Sequence, residues 1–124
     1  MIIKLIEKYS ALFASWKIIE YDQDGPNLRL KAEFEFTDGS IFFVRQVVLR
    51  EVTFKYAYHW QDKEGWLRCR WDNAPHWPNM PTHPHHKHIM TDGKISVEAS
   101  KGGDLEAIFD EIAQFLLKFQ NKRD

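Results

Sequence analysis

Five of the chain's six histidines and four of its five prolines fall between Arg70 and His88. Imidazole has an ordinary pKa of ~6.5, so it takes and gives protons near neutrality. Arginine and lysine supply the fixed positive charge that a phosphoryl transition state requires. Several histidines, Arg68, Arg70, Lys87 and Asp72 are therefore the parts of an acid–base site for a phosphodiester. Metal-free RNA cleavage needs a base for the 2′-hydroxyl, an acid for the leaving oxygen, and cations on the phosphate. Trp60, Trp66 and Trp77 offer faces on which single-stranded bases stack. Neutral imidazole also binds zinc, nickel or copper, which makes His83, His85, His86 and His88 candidate ligands. Alternate residues of an extended segment point the same way, so His86 and His88 could share one ion. The sequence has no cysteine pair, no HExxH helix and no structural-zinc spacing, and the expected cofactor is none. A third reading is structural: Asp72 and Asn73 close an Asx turn, prolines stiffen the loop, and the histidines cap carbonyls or face solvent.

These residues have to be held by something regular. A stretch this rich in proline is neither helix nor central strand, because each proline lacks a backbone donor and fixes its own φ. It is an ordered loop between periodic segments, and long ordered loops are usually functional. Before it, Phe54–Gln61 and Trp66–Asp72 alternate as a hairpin around Asp62-Lys63-Glu64-Gly65. A four-residue loop sets His59 opposite Arg68, Ala57 opposite Arg70 and Lys55 opposite Asp72. Tyr56, Tyr58, Trp60, Leu67, Cys69 and Trp71 then form an aromatic core face. His59, two arginines and Lys55 form the other, and neighbours ~5 Å apart across strands could converge on one anion.

The flanking elements follow from periodicity. Ile2, Leu5, Ile6, Tyr9, Leu12, Phe13 and Trp16 recur at helical spacing, which predicts an amphipathic helix of three to four turns. Trp16–Tyr21 reads as a short strand and Asp22–Asn27 as a turn. Leu28–Phe36 alternates strictly, and Asp38-Gly39 predicts a type I′ hairpin to a strand from Ser40 to about Leu49. A two-residue turn sets Phe36 opposite Ile41, Phe34 opposite Phe43 and Ala32 opposite Arg45, so that Arg45 interrupts an apolar face. Phe42, Val44 and Val48 then lie on a mixed face, either as a partner surface or under a helix. Lys87–Met90 reads as an edge strand, Thr91–Gly93 as a turn and Lys94–Ala99 as a last strand. Asp104 is the expected N-cap of a helix with Leu105, Ile108, Phe109, Ile112, Phe115, Leu116 and Phe119 on one face; Glu106 sits in its first turn and Lys118 in its last. The expected fold is α+β, one domain over residues 1–124: a mainly antiparallel sheet of four to six strands, N- and C-terminal helices on one face, the other face open.

Composition limits the function classes. The chain has 124 residues, 44% hydrophobic content and a net charge of -1, which excludes a generally basic nucleic-acid coat. From Phe54 to Lys94, however, six Lys/Arg face four Asp/Glu. Cys69 is the lone cysteine, so no internal disulfide forms, which suits a cytoplasmic setting. No signal peptide and no membrane helix of ~20 apolar residues is legible.

Tyr56-x-Tyr58-His59-Trp60-Gln61-Asp62, Arg70-Trp71-Asp72-Asn73-Ala74-Pro75-His76 and Pro84-His85-His86-Lys87-His88 closely resemble the TumE family, small toxins of type II toxin–antitoxin pairs. The order of parts matches over nearly the whole chain. Trp77 and His83 depart from the family pattern, which carries His and Phe there. The resemblance implies a growth-inhibiting toxin neutralised by a cognate antitoxin of helix-turn-helix type; a cytoplasmic setting, RNA as target and a homodimer are further expectations. The compact build is similar to RelE-like mRNA-cleaving toxins, an analogy of fold alone. The resulting expectation is a metal-independent ribonuclease. His59, His76, His86, His88 and Asp72 are its catalytic set; Arg68, Arg70, Lys87, Asn73 and His85 hold the phosphate or the loop. The rival reading is a non-catalytic inhibitory protein or a metal-binding domain.

Overall fold

Strict alternation of large apolar and charged residues dominates the chain, and it folds as one seven-stranded antiparallel sheet in which every strand pairs with its neighbours in sequence. The computed structural model describes residues 2–50 and 53–123. Helix α1 (Ile2–Lys8) and a 3₁₀ turn (Ser10–Leu12) lead into β1 (Phe13–Asp24), β2 (Asn27–Phe36), β3 (Ile41–Leu49), β4 (Thr53–Gln61), β5 (Leu67–Asp72), β6 (His86–Thr91), β7 (Lys94–Ala99) and helix α2 (Leu105–Arg123). The α+β reading holds, with seven strands rather than four to six. The N-terminal helix is shorter than its periodicity predicts. Phe13–Trp16 pairs with β2 instead, because the ladder satisfies a backbone that a fourth helical turn would leave at the sheet edge. β6 lies between β5 and β7 and is not an edge strand.

One face of the sheet carries Phe34, Phe36, Phe42, Tyr58 and Trp71, each at most 2% exposed. Both helices cover it. Phe109 of α2 is fully buried among the rings of Tyr9, Phe13, Phe34 and Phe42. The Tyr9 hydroxyl bonds to Asp110 and ties α1 to α2. The side chain of Phe119 lies outside the described residues.

Turn geometry sets the registers, and both hairpins differ from expectation. Phe36 N donates to Ser40 O and Gly39 N to Phe36 O, each at 2.9 Å. Only Gly39 has positive φ, at 87°. This is a three-residue loop with a left-handed third residue, not a type I′ turn. The type I′ signature, two positive φ angles, belongs to Asp92 (51°) and Gly93 (77°) between β6 and β7. The extra residue pairs Phe34 with Phe42, Ala32 with Val44 and Lys31 with Arg45. Arg45 therefore lies on the polar face and interrupts nothing, while Phe42 and Val44 are buried in the core and Val48 is half-buried.

The second hairpin has the same loop: Asp62 N donates to Trp66 O, Gly65 N to Asp62 O, and Gly65 has φ 92°. Left alone, that turn would set Trp60 opposite Arg68 and put apolar and polar residues on the same face. A bulge removes the conflict. Gln61 pairs with Leu67, Trp60 with Cys69, His59 with Arg70 and Ala57 with Asp72, leaving Arg68 as the unpaired extra residue.

Gly103, just before α2, approaches the sheet closely. Its carbonyl accepts the Tyr58 hydroxyl at 2.8 Å, and a Cβ there would overlap the Tyr56 ring and come within 2.9 Å of Phe54. Gly103→Ala is expected to destabilise the protein by about 1–3 kcal/mol through overpacking, read as a lower urea midpoint with an unchanged slope.

Candidate active site

Antiparallel pairing places partners on the same face, so the open face of β4, β5 and β6 can be read as rows. One row is His59–Arg70–His88; the next is Ala57–Asp72–His86, with Ala99 beyond on β7. Of these, Ala57, Arg70, Asp72, His86 and His88 floor a cleft of about 620 Å³, and His59 lies outside its lining. Its wall is the start of the 73–85 loop, including Ala74, Pro75, His76 and Trp77, and Lys55 stands at its margin.

Asp72 is the hub. Its Oδ1 accepts from His86 Nε2 at 2.9 Å and from Ala74 N at 3.0 Å, which closes the expected Asx turn. Its Oδ2 lies 3.4 Å from Arg70 Nε and 3.6 Å from His88 Nε2. His86 is 1% exposed, and its Nδ1 faces the Pro84 carbonyl at 2.9 Å. Both ring nitrogens thus face oxygen atoms of the protein, the Asp72 carboxylate and the Pro84 carbonyl. The ring is held by these two contacts at the floor of the cleft. Its ring packs edge-on against His88, with centroids 5.0 Å apart, and against Trp77 at 6.4 Å.

His59 and His88 flank Arg70 from the two adjacent strands. Burial holds the His59 imidazole below its usual pKa and the Arg70 charge adds to the effect, against a hydrogen bond with Gln61. With Gln61 Oε1 accepting at 3.2 Å, His59 Nε2 carries the hydrogen and Nδ1 keeps the lone pair. His88 is likewise lowered by burial; Asp72 opposes this, while His86 and Arg70 reinforce it.

The loop is a series of turns rather than a slack segment. Met80 N bonds to Trp77 O, His83 N to Met80 O and His85 N to Thr82 O. Thr82 Oγ1 donates to His85 O at 2.6 Å and accepts from Ser100 N at 3.1 Å, tethering the loop to the end of β7. The His83–Pro84 peptide is cis.

Several residues expected at one site are elsewhere. Arg68, the bulge residue, turns to the helix-covered side; it bonds to Asp38 Oδ2 at 2.7 Å and lies over the Trp60 and Phe115 rings. Hydrogen bonds from Ser40 and Arg68 hold the Asp38 carboxyl below its usual range despite burial, which alone would raise it. Lys87 lies between His86 and His88 on a strand, so it points to the opposite face and pairs with Glu111 of α2 at 3.1 Å. Asn73 uses its amide on backbone: Oδ1 accepts from Tyr56 N at 3.1 Å and Nδ2 donates to Phe54 O at 2.6 Å, extending the ladder past Asp72. His85 is held by the Tyr56 hydroxyl at 2.7 Å and stacks on that ring. His83 bonds to Trp77 O outside the cleft. Of the three tryptophans, Trp60 is buried and donates to Ser40 Oγ, Trp66 is exposed on the far hairpin, and Trp77 alone lines the cleft. Lys55, expected opposite Asp72, is displaced from it by Ala57 in the true register but still lines the cleft. The Tyr56–His85 bond had no sequence signal, because it joins a strand to a loop 29 residues away.

Among the described residues no helix is long and apolar enough to cross a membrane. The family model described as "Toxin TumE" matches residues 2–120. No curated protein and no solved structure matches the chain.

Proposed function

The chain belongs to the TumE toxin family, and from that premise we propose that it acts as a ribonuclease whose cleavage needs no metal. The toxin identity implies a cognate antitoxin, which this reading takes to be of helix-turn-helix type. One observation carries the nuclease reading: His59 and His88 are the cross-strand partners of Arg70 on its two sides.

In-line attack on a phosphodiester places the entering and leaving oxygens on opposite sides of phosphorus. The row His59–Arg70–His88 spans two strand spacings, about 10 Å in all, with Arg70 at its centre. Arg70 holds the non-bridging oxygens and Lys55 adds charge from the margin. His59 Nδ1, kept neutral, accepts the proton of the 2′-hydroxyl. His88, with the Asp72 carboxylate behind it, gives a proton to the departing 5′-oxygen. Asp72 and His86 fix the floor, and Asn73 anchors the loop. His76 lines the cleft as an alternative proton carrier, and Trp77 offers a face on which a base can stack.

The test is induced expression in a bacterial host with RNA 5′ ends mapped over the first minutes. New ends that vanish with His88→Ala while the variant still binds its antitoxin are the expected result. Growth arrest with intact RNA would replace cleavage by blockade of a bound target, and a fully active His59→Ala, His88→Ala double variant would sink the assignment.

A further inference from the structure

We propose that Asp72, His86 and His88 form a three-ligand site for a divalent ion of the zinc class. One donor atom from each lies within 4.8 Å of the others. Two metal bonds of ~2.1 Å at the tetrahedral angle hold their donors about 3.4 Å apart. The carboxylate stands near that separation from both rings, 2.9 Å from His86 Nε2 through Oδ1 and 3.6 Å from His88 Nε2 through Oδ2. The second is too long for a hydrogen bond and suits two atoms that share an ion.

The surroundings are those of a ligand set. A metal-binding histidine usually donates its other ring N–H to a carbonyl or carboxylate, which fixes the tautomer and the ring. His86 Nδ1 makes that bond to Pro84 O at 2.9 Å and presents Nε2 to the site. Asp72 and His86 are direct cross-strand partners, and His88 is two residues on along β6, so rigid ladder positions the ligands. The Arg70 side chain is 40% exposed, which leaves it room to turn into the cleft when an ion takes Oδ2.

Two nitrogens and one oxygen form a borderline donor set that favours zinc, cobalt or nickel over magnesium or calcium, which want oxygen alone. Three protein ligands leave a coordination position open to water. The set differs from the loop cluster that spacing suggests: His83 and His85 are not in it.

An ion here would come between His88 and the Asp72 carboxylate, so that occupancy would oppose the metal-free acid role rather than serve it, and binding is tested apart from cleavage. Untagged full-length protein, stripped with chelator, is titrated with zinc chloride in a calorimeter. The expected result is one equivalent bound, affinity at least 100-fold weaker in His88→Gln, no change in His83→Gln, and no binding of magnesium chloride. Cobalt(II) added to the unaltered protein reads the ligands without a variant: visible bands with no near-ultraviolet thiolate band are expected. Absence of one-equivalent zinc binding, binding that survives His88→Gln but not His83→Gln, or a thiolate band from Cys69 would each overturn the proposal. RNA cleavage, present or absent, does not enter the decision.

Discussion

Asp72→Ala is expected to lower the stability of the protein by about 2–5 kcal/mol, because it leaves two donors without their acceptor at ~1–3 kcal/mol each. The side chains of Asp72 and His86 are 10% and 2% exposed. Truncation leaves the His86 N–H buried without its acceptor and frees the Ala74 N–H that closes the turn into the loop. Against a typical total of ~5–15 kcal/mol, that loss brings many domains close to unfolding at 37 °C. Asp72→Asn keeps an oxygen acceptor in place but removes the charge, and should fall between the two. Urea denaturation of the three proteins decides the matter. A loss under about 1 kcal/mol for Asp72→Ala would mean that the pair does not hold the β5–β6 junction.

Arg70→Ala is expected to cut RNA cleavage by about 10²–10³-fold, the cost of removing one preorganised donor from a developing oxyanion. Its melting curve should change little, because Arg70 is half-exposed and makes one ion pair, at 3.4 Å. Arg70→Lys should recover only part of the rate, since an ammonium lacks the planar fork that grips two phosphate oxygens. An unchanged rate in Arg70→Ala would remove the phosphate from the centre of the row.

The pH profile supplies an independent sign. The folded protein lowers the His59 pKa, so that base stays neutral to below ~6.5. Cleavage should rise as pH falls from neutrality, because the lowered His88 acid becomes protonated, and then fall once His59 is protonated as well; His59→Gln should lower the maximum and abolish the acid limb. The same shift has a linked effect on folding. A histidine with a depressed folded pKa contributes stability that is present above its unfolded value and lost as pH falls through the folded one.

Much of this was legible before any coordinates. Leu28–Phe36 and Phe54–Gln61 alternate so strictly that their buried faces could be written down, because a period of two has one solution once large rings mark the core. The Asx turn at Asp72 and the ordered loop followed from residue type. Lys87 was also decidable: a residue between two site histidines on a strand has to face away from them. Other features were not. Asp38-Gly39 and Asp92-Gly93 share a dipeptide but adopt different turns, and only the pairing of flanking strands distinguishes them. The bulge at Arg68 satisfies a conflict between a local loop and two apolar faces, and no single residue announces it. Phe13–Trp16 carries a spacing that fits helix and strand alike, and the partner strand decides.

The sequential order of the sheet has a consequence for how the protein is made. Each strand can pair with the one before it as it leaves the ribosome, through short loop closures except at the 73–85 loop. Helix α2 follows the last strand in the chain, so the cleft on the open face can be assembled while the opposite face still shows Phe34, Phe42 and Trp71 to water. A nascent toxin would then pass through a stage in which its chemistry is laid out but its backing is missing. A chaperone, or an antitoxin segment that covers apolar surface, could act on it then.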